Sequence, residues 1–230
     1  MPLGPCSDVT MDVPPYRLSG RVYGTLLNHQ TALRALGDAV NRPPYNSPPQ
    51  APVLYIKPRN TLAADGAPVI VPSGVAELEI GASLGLVISR PCCRLTEGEA
   101  LGQLAGYLIV NDVSVPHAQY YRPSIPFNAR DGFCPLGPRV VPRAAIADPD
   151  ALTVRVCVDD ELKQTMSTSE LVRPVAKLLA AITDFMTLLP GDVLAVGVAA
   201  PTPRVRPGQR VRIEIDGFGR LENPFVAGAA

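Results

Sequence analysis

The residues of this chain whose side chains most readily bind a metal, carry a proton or attack an electrophile are few. There are two histidines, His29 and His117, and a two-histidine metal site would need both. There are five cysteines, Cys6, Cys92, Cys93, Cys134 and Cys157. Their number is odd and no Cys-x-x-Cys spacing occurs, so the pattern argues against a disulfide framework and a structural zinc site. Free thiols fit a reducing cytoplasm. Glu77 and Glu79 are two residues apart in a strand-like run. Alternate residues of a strand share a face, so these carboxylates point the same way. Paired carboxylates suit a hard divalent cation, and a solvated strand face carries the same pattern.

Composition narrows the partners. Lysine plus arginine and aspartate plus glutamate are equal at 21 each, and no basic run occurs, which argues against nucleic acid and anionic membrane. Tryptophan is absent and aromatics are 5%, so stacking on bases is poorly supplied. No apolar run reaches membrane-span length, and no charged segment precedes an apolar one at the start. The expectation is a soluble, cytoplasmic protein. With 230 residues, the chain can bury a sizeable core.

The 26 prolines and 19 glycines are spread evenly, which favours short strands and turns over long helices. Residues 1–18 lack periodicity and read as a loose arm, with one domain over 19–230. Strands are expected at 21–27, 53–58, 68–72, 76–89, 105–111, 138–142, 152–158, 193–198 and 210–215. Short helices are expected at about 30–40 and 96–104. The proline-rich stretch 41–52 cannot be helical. Residues 114–131 read as an irregular polar loop of the kind that often carries function. A longer helix is expected over 169–188, from apolar Leu171, Val175, Leu178, Leu179, Ile182 and Met186. The sum is a β-rich α+β fold.

Six segments, in order, carry a family resemblance: Lys57-Pro58, VPSGVAELEIGASLGLVIS (71–89), GYLIVNDVS (106–114), DGFCPLGP (131–138), LLPGDVLAVG (188–197) and PGQRVRIEIDGFGRLENPFV (207–226). Over roughly residues 20–226 the chain resembles the fumarylacetoacetate hydrolase family. IKPRNT (56–61), YYRPSI (120–125) and NARDGFCPLGP (128–138) are similar to one branch. That branch is the amino-terminal half of the isomerase/decarboxylases of 4-hydroxyphenylacetate (homoprotocatechuate) degradation. The resemblance implies a mixed β-sheet roll with a few short helices.

The resemblance also implies a chemistry. In the family, Mg²⁺ or Mn²⁺ chelates a 2-oxo or enol diacid and stabilises the enolate formed on cleavage, decarboxylation or tautomerisation. Two glutamates in Glu-x-Glu and one aspartate hold the ion. Here the Glu-x-Glu positions read Gly81-Ala82-Ser83, while Asp112 is retained. The family's lid histidine and glutamate fall on Ala32 and Ala35, its lysine on Asn128, its threonine on Val198 and its arginine on Pro116. Lys57, Asp112 and Gln119 match, and Arg59 and Arg130 lie nearby; these five are the candidate cavity-lining residues, with catalytic residues unassigned. Asp112 could equally cap a turn, and Lys57 and Arg130 could be surface ion pairs. No metal is expected in this chain unless Glu77 or Glu79 substitutes. Putting Glu back at 81 and 83 is expected to aim both carboxylates at Asp112 and create Mg²⁺ binding.

Three functional readings stay open. The first is a partner subunit of an isomerase/decarboxylase (lyase) assembly, weak alone, forming a homo-oligomer or a heteromer with a catalytic family subunit that acts on a 2-oxo or enol dicarboxylate. The second is a self-sufficient enzyme with a relocated site using Asp112 and Glu79. The third is a non-catalytic dicarboxylate-binding module.

Overall fold

The computed structural model describes residues 12–13, 16–117 and 124–229. Asp12–Val13 (β1) and Tyr16–Arg17 (β2), within the arm, pair as a short antiparallel hairpin. The remaining strands run Val22–Leu26 (β3), Val53–Lys57 (β4), Leu62–Ala63 (β5), Val69–Val71 (β6), Leu78–Ile88 (β7), Leu104–Ser114 (β8) and Cys134–Pro142 (β9). They continue with Thr153–Val158 (β10), Glu161–Ser167 (β11), Val193–Ala195 (β12), Arg204–Val205 (β13), Arg210–Ile215 (β14) and Gly219–Ala227 (β15). The α-helices are Gln30–Ala35 (α1), Glu97–Ala100 (α2), Ile125–Asn128 (α3) and Val175–Thr183 (α4).

Two mixed sheets result. One has five strands in the order β11-β10-β14-β15-β6. The other has eight, in the order β4-β3-β12-β7-β8-β9-β5, with β13 pairing β7 off that path. This is the β-rich α+β roll the sequence implies. The long strand β7 shows why. Its even-numbered residues Leu78, Ile80, Ala82, Leu84, Leu86 and Ile88 are buried in the main core. There they join Val154, Val156 and Val158 of β10, Val211, Ile213 and Ile215 of β14, and Phe225 of β15. Each fully buried Leu or Ile is worth about 1.5–3 kcal/mol. The odd-numbered Val87 packs instead with Leu108, Val110, Val193 and Ala195 on the opposite face of the sheet. That opposite face is where the chemistry-bearing positions fall.

Several expected elements are corrected in their bounds. The helix expected over 169–188 is α4 alone, and a 3₁₀ turn at Thr168–Glu170 precedes it. Pro174 keeps Arg173 out of helical conformation, so the helix starts after it. The Asp150 carboxylate accepts from the Val175 N–H at 2.9 Å and caps that start from a distant loop. Strand β11 was not expected. It returns from β10 across Asp159-Asp160, both at positive φ (50° and 67°), the signature of a tight two-residue hairpin turn. Within the expected irregular loop, α3 forms a short turn of helix after Ser124. Among the described residues no helix is long and apolar enough to cross a membrane.

Candidate functional site

Strands β7 and β8 pair antiparallel so that Gly81 faces Asp112 and Glu79 faces Ser114. Next to them, β3 and β4 pair so that Gly24 faces Tyr55. A Cβ at Gly24 would fall within the Tyr55 ring, so this glycine lets the ring lie flat across β3. The Tyr55 hydroxyl donates to Asp112 Oδ2. Burial, then the Asp112 charge, pushes the Tyr55 hydroxyl well above the usual phenol range. On the other oxygen, Lys57 Nζ sits 2.6 Å from Asp112 Oδ1. Lys57 is 1% exposed, and its ammonium also donates to the Val113 and Asn128 carbonyls at 2.7 Å and to that of Phe133 at 3.1 Å. One buried cation thus fastens β4, β8, α3 and the turn before β9.

Above this pair opens a cavity of about 910 Å³. Its wall includes Ala32, Ala35, Gly81, Asp112, Asn128 and Val198. These are the positions where the family resemblance places lid acid/base, metal ligand, lysine and threonine. The structure therefore collects these positions, though not Ser83 or Pro116, around one space. Apolar side chains fill much of the wall, among them Leu26, Leu36, Leu54, Ile56 and Ile125. Val53, Ile56 and Ile125 remain 36%, 53% and 56% exposed, so the cavity mouth is apolar and open to solvent.

Of the sequence-derived candidates, Lys57 and Asp112 meet. Arg59 and Arg130 are exposed and do not line the cavity; the Arg130 guanidinium donates to the Pro126 carbonyl at 2.8 Å. Gln119 lies outside the described residues, as do Tyr120 and Tyr121. Ser83 is fully buried and donates to the Gly197 carbonyl at 2.8 Å, while accepting from the Gly197 N–H at 3.2 Å. It ties β7 to the chain after β12 rather than facing the cavity. Glu79 does reach the wall, but it pairs with Arg204 at 3.4 Å. Glu77 pairs with the same guanidinium at 2.6 Å and with Arg206 at 3.7 Å. The Arg204 contact holds Glu77 below the usual carboxylate range.

The histidines part company. His29 is fully buried; its Nδ1 accepts from the Thr31 N–H and so caps α1, while Nε2 lies 3.3 Å from the Ser167 carbonyl. Burial lowers its pKa, opposed by the Ser167 carbonyl and Glu170. His117 is on the cavity wall, stacked on Phe127 at 5.0 Å, with Nδ1 2.9 Å from the Val115 carbonyl. Beside His29, the buried Asn28 donates to the Val196 carbonyl at 2.7 Å and accepts from the Arg173 N–H at 3.0 Å. Its role is to fix the corner that carries α1. Tyr55 is the site residue sequence reasoning missed. Its signal was present, two residues before Lys57 and hence on the same strand face.

Residues 21–226 match the fumarylacetoacetate (FAA) hydrolase C-terminal family, and the chain belongs to it. It is 40% identical over 210 residues to the 4-hydroxyphenylacetate degradation bifunctional isomerase/decarboxylase of Salmonella dublin, covering 91% of this chain and 48% of that protein. The chain thus spans about half the length of that relative. The crystal structure of 5-carboxymethyl-2-hydroxymuconate delta-isomerase from Mycobacterium smegmatis matches with a TM-score of 0.76 and 28% identity, over 93% of this chain and 81% of that one. Maleylpyruvate hydrolase from Sphingobium sp. SYK-6, in complex with manganese(II) and pyruvate, matches with a TM-score of 0.75 and 26% identity, over 91% and 71%.

A divalent cation is thereby implied for the family. The residues of this chain do not fit it. Gly81 offers no ligand, Ser83 is spent on Gly197, and both oxygens of Asp112 are held by Lys57 and Tyr55. Among the described residues no three His, Cys, Asp or Glu side chains gather as a metal site requires.

Proposed function

We propose that this chain is the amino-terminal-type, non-self-sufficient partner in an assembly of the 4-hydroxyphenylacetate pathway. The assembly would act as 2-hydroxyhepta-2,4-diene-1,7-dioate isomerase and 5-carboxymethyl-2-oxo-hex-3-ene-1,7-dioate decarboxylase, with Mg²⁺ or Mn²⁺ held by the other half. One observation carries this reading: the positions that would bind metal and move protons, Gly81, Ala32, Ala35 and Asn128, line one cavity and carry none of the required groups. Without a metal-bound enolate and a lid acid/base, each reaction loses its charge stabilisation and its proton transfer, the latter alone worth roughly 10²–10⁴-fold. Support for a partner comes from the half-length match to the bifunctional relative and from the exposed apolar mouth formed by Val53, Ile56 and Ile125.

The test is a turnover assay on a 2-oxo diacid with Mg²⁺ present, using the purified chain, a Glu-x-Glu-bearing family subunit, and both together. The chain alone is expected to be inactive and the mixture more active than the subunit alone, with light scattering reporting a complex. Enzyme-like turnover by the chain alone, or a stable micromolar monomer indifferent to the subunit, overturns the reading.

A further inference from the structure

Another cavity, of about 570 Å³, opens beside α4 and shares no wall residue with the first. Its wall carries three cations, Arg94, Arg173 and Lys177, and one carboxylate, Asp184. Different parts of the chain place them. Arg173 stands just before α4, where its N–H donates to Oδ1 of the buried Asn28 at 3.0 Å. Its Nη2 donates to the Gln50 carbonyl at 2.8 Å and the Pro49 carbonyl at 3.4 Å, so the guanidinium is held while Nε and Nη1 are left for a ligand. Lys177 lies one helical turn further on, and Ala181 and Asp184 follow on the same face of α4. Arg94 comes from a separate turn. Its backbone is left-handed, with φ 51°, a conformation that a residue other than glycine seldom takes. The turn is latched to the end of α4: the Arg94 N–H donates to the Thr183 carbonyl at 2.7 Å, and the Leu95 N–H to Thr183 Oγ1 at 3.2 Å. That latch fixes where the Arg94 side chain leaves the backbone. Among the described residues, neither Arg94 nor Lys177 has an ion pair or a side-chain hydrogen bond. Phe185, 60% exposed, lies on the same wall with Ala180, Ala181 and Pro52.

We infer that this second cavity binds a small aromatic anion, a phosphate or carboxylate carried on one ring. Arg94, Arg173 and Lys177 take the charged group, and Phe185 takes the ring. Guanidinium forks meet the oxygens of such groups through parallel, charge-assisted N–H···O bonds. A single exposed cation gains little from an anion in water, because side-chain entropy and salt offset the attraction. Three cations around one concavity gain more, and Arg173 is already held by two carbonyls, so less side-chain freedom is given up on binding. A ring on the ligand covers the exposed face of Phe185 and stacks on a guanidinium plane. Asp184 opposes the ligand's charge and so limits the affinity. The inference concerns a site outside the first cavity and stands apart from the partner reading.

The experiment is calorimetric titration of the purified chain with four probes: phenyl phosphate and benzoate as aromatic anions, inorganic phosphate as an anion without a ring, and phenol as a ring without charge. At least one aromatic anion is expected to saturate at one per chain, about tenfold or more tighter than inorganic phosphate and phenol, and to weaken as sodium chloride is raised. Which of the two binds more tightly decides between phosphate and carboxylate. Arg94→Gly suits the left-handed backbone while removing the side chain, and Lys177→Ala lies on an exposed helix position, so both should keep the parent melting temperature. Each should weaken the bound probe by about fivefold to tenfold. Asp184→Asn should tighten it. Arg220→Ala, which removes a positive charge from β15, and Ala35→Phe, on the wall of the first cavity, should leave it unchanged. No saturable aromatic anion at millimolar concentration, binding indifferent to both Arg94→Gly and Lys177→Ala, an equal loss in Arg220→Ala, or a loss in a folded Ala35→Phe variant overturns the inference.

Discussion

The two faces of strand β7 have different histories written on them. The face toward the core reads Leu78, Ile80, Ala82, Leu84, Leu86 and Ile88, each fully buried. The opposite face reads Glu79, Gly81, Ser83, Gly85 and Val87, and of these Glu79 and Gly81 line the cavity. The first face holds two sheets together and leaves little room for polar change, since burying a group without a partner costs several kcal/mol. The second face is packed as well, with Gly81, Ser83, Gly85 and Val87 buried, but at Glu79 and Gly81 it borders the cavity, and there Gly81 offers no metal ligand. A strand separates these duties because its side chains alternate. One face can therefore vary in residue type while the other preserves the fold, and residues 21–226 match the family as a whole.

The comparison breaks most severely at Lys57 and Asp112, where the cavity face has taken on a structural duty. A nearly fully buried ammonium with one carboxylate and three carbonyl partners cannot lose its countercharge cheaply. Asp112→Ala or Lys57→Met is expected to destabilise the chain by about 3–5 kcal/mol. In thermal unfolding that is a fall of roughly 6–20 °C for a chain of this size. Removing both together, Lys57→Met with Asp112→Leu, should cost less than either alone, because no charge is left unpaired. A drop under about 1 kcal/mol for the single variants would mean that Asp112 is held for a ligand and not for the fold.

The core face was legible in the sequence, because burial imposes a period of two that apolar residues display directly. Lys57 and Asp112, placed by resemblance, meet as an ion pair, and Ala32, Ala35, Gly81 and Asn128 line the cavity, whereas Lys57 itself lies behind its wall. The engagement of both Asp112 oxygens was not legible. It depends on Tyr55 crossing Gly24, a contact between strands that no spacing within one strand reveals. The bounds of α4 were misjudged because a helical apolar period continues through Pro174, and a distant Asp150 supplies its cap.

A milder break tests whether carboxylates can be placed at the positions the resemblance assigns to metal ligands. The alternation of the strand suggests that Gly81→Glu with Ser83→Glu would aim two carboxylates at Asp112. The packing argues otherwise. A Cβ at Gly81 would come 2.6 Å from the Asp112 carbonyl oxygen and 3.1 Å from Val198 Cγ2, so β7 and β8 would have to part. Gly81→Ala alone should therefore cost about 1–3 kcal/mol by overpacking, read as a shift in the denaturation midpoint. The double glutamate variant should show no saturable Mg²⁺ site by calorimetry. Tight Mg²⁺ binding by that variant, lost on adding Asp112→Ala, would show that the cavity face accommodates a metal site.

The smallest effect lies at His29, the buried cap of α1, and here the sign follows from burial. Desolvation lowers the imidazole pKa in the folded chain, with the Ser167 carbonyl and Glu170 opposing and Arg34 assisting. The unfolded chain takes up a proton near pH 6.5, whereas the folded chain resists until the pH is lower. Stability from this group is therefore complete above about pH 6.5 and declines as the pH falls through the window between the unfolded and folded values. His29→Asn keeps a side chain able to cap α1 while removing the titration. At pH 7.5 the variant is expected to lie within about 1 kcal/mol of the parent, the usual scale of a cap. Between pH 6.5 and 5 its stability should fall less steeply with acidity than the parent's. Chemical denaturation at several pH values measures both slopes. Parallel slopes would show that His29 is protonated as readily in the fold as out of it, through Glu170, and that burial does not govern the start of α1.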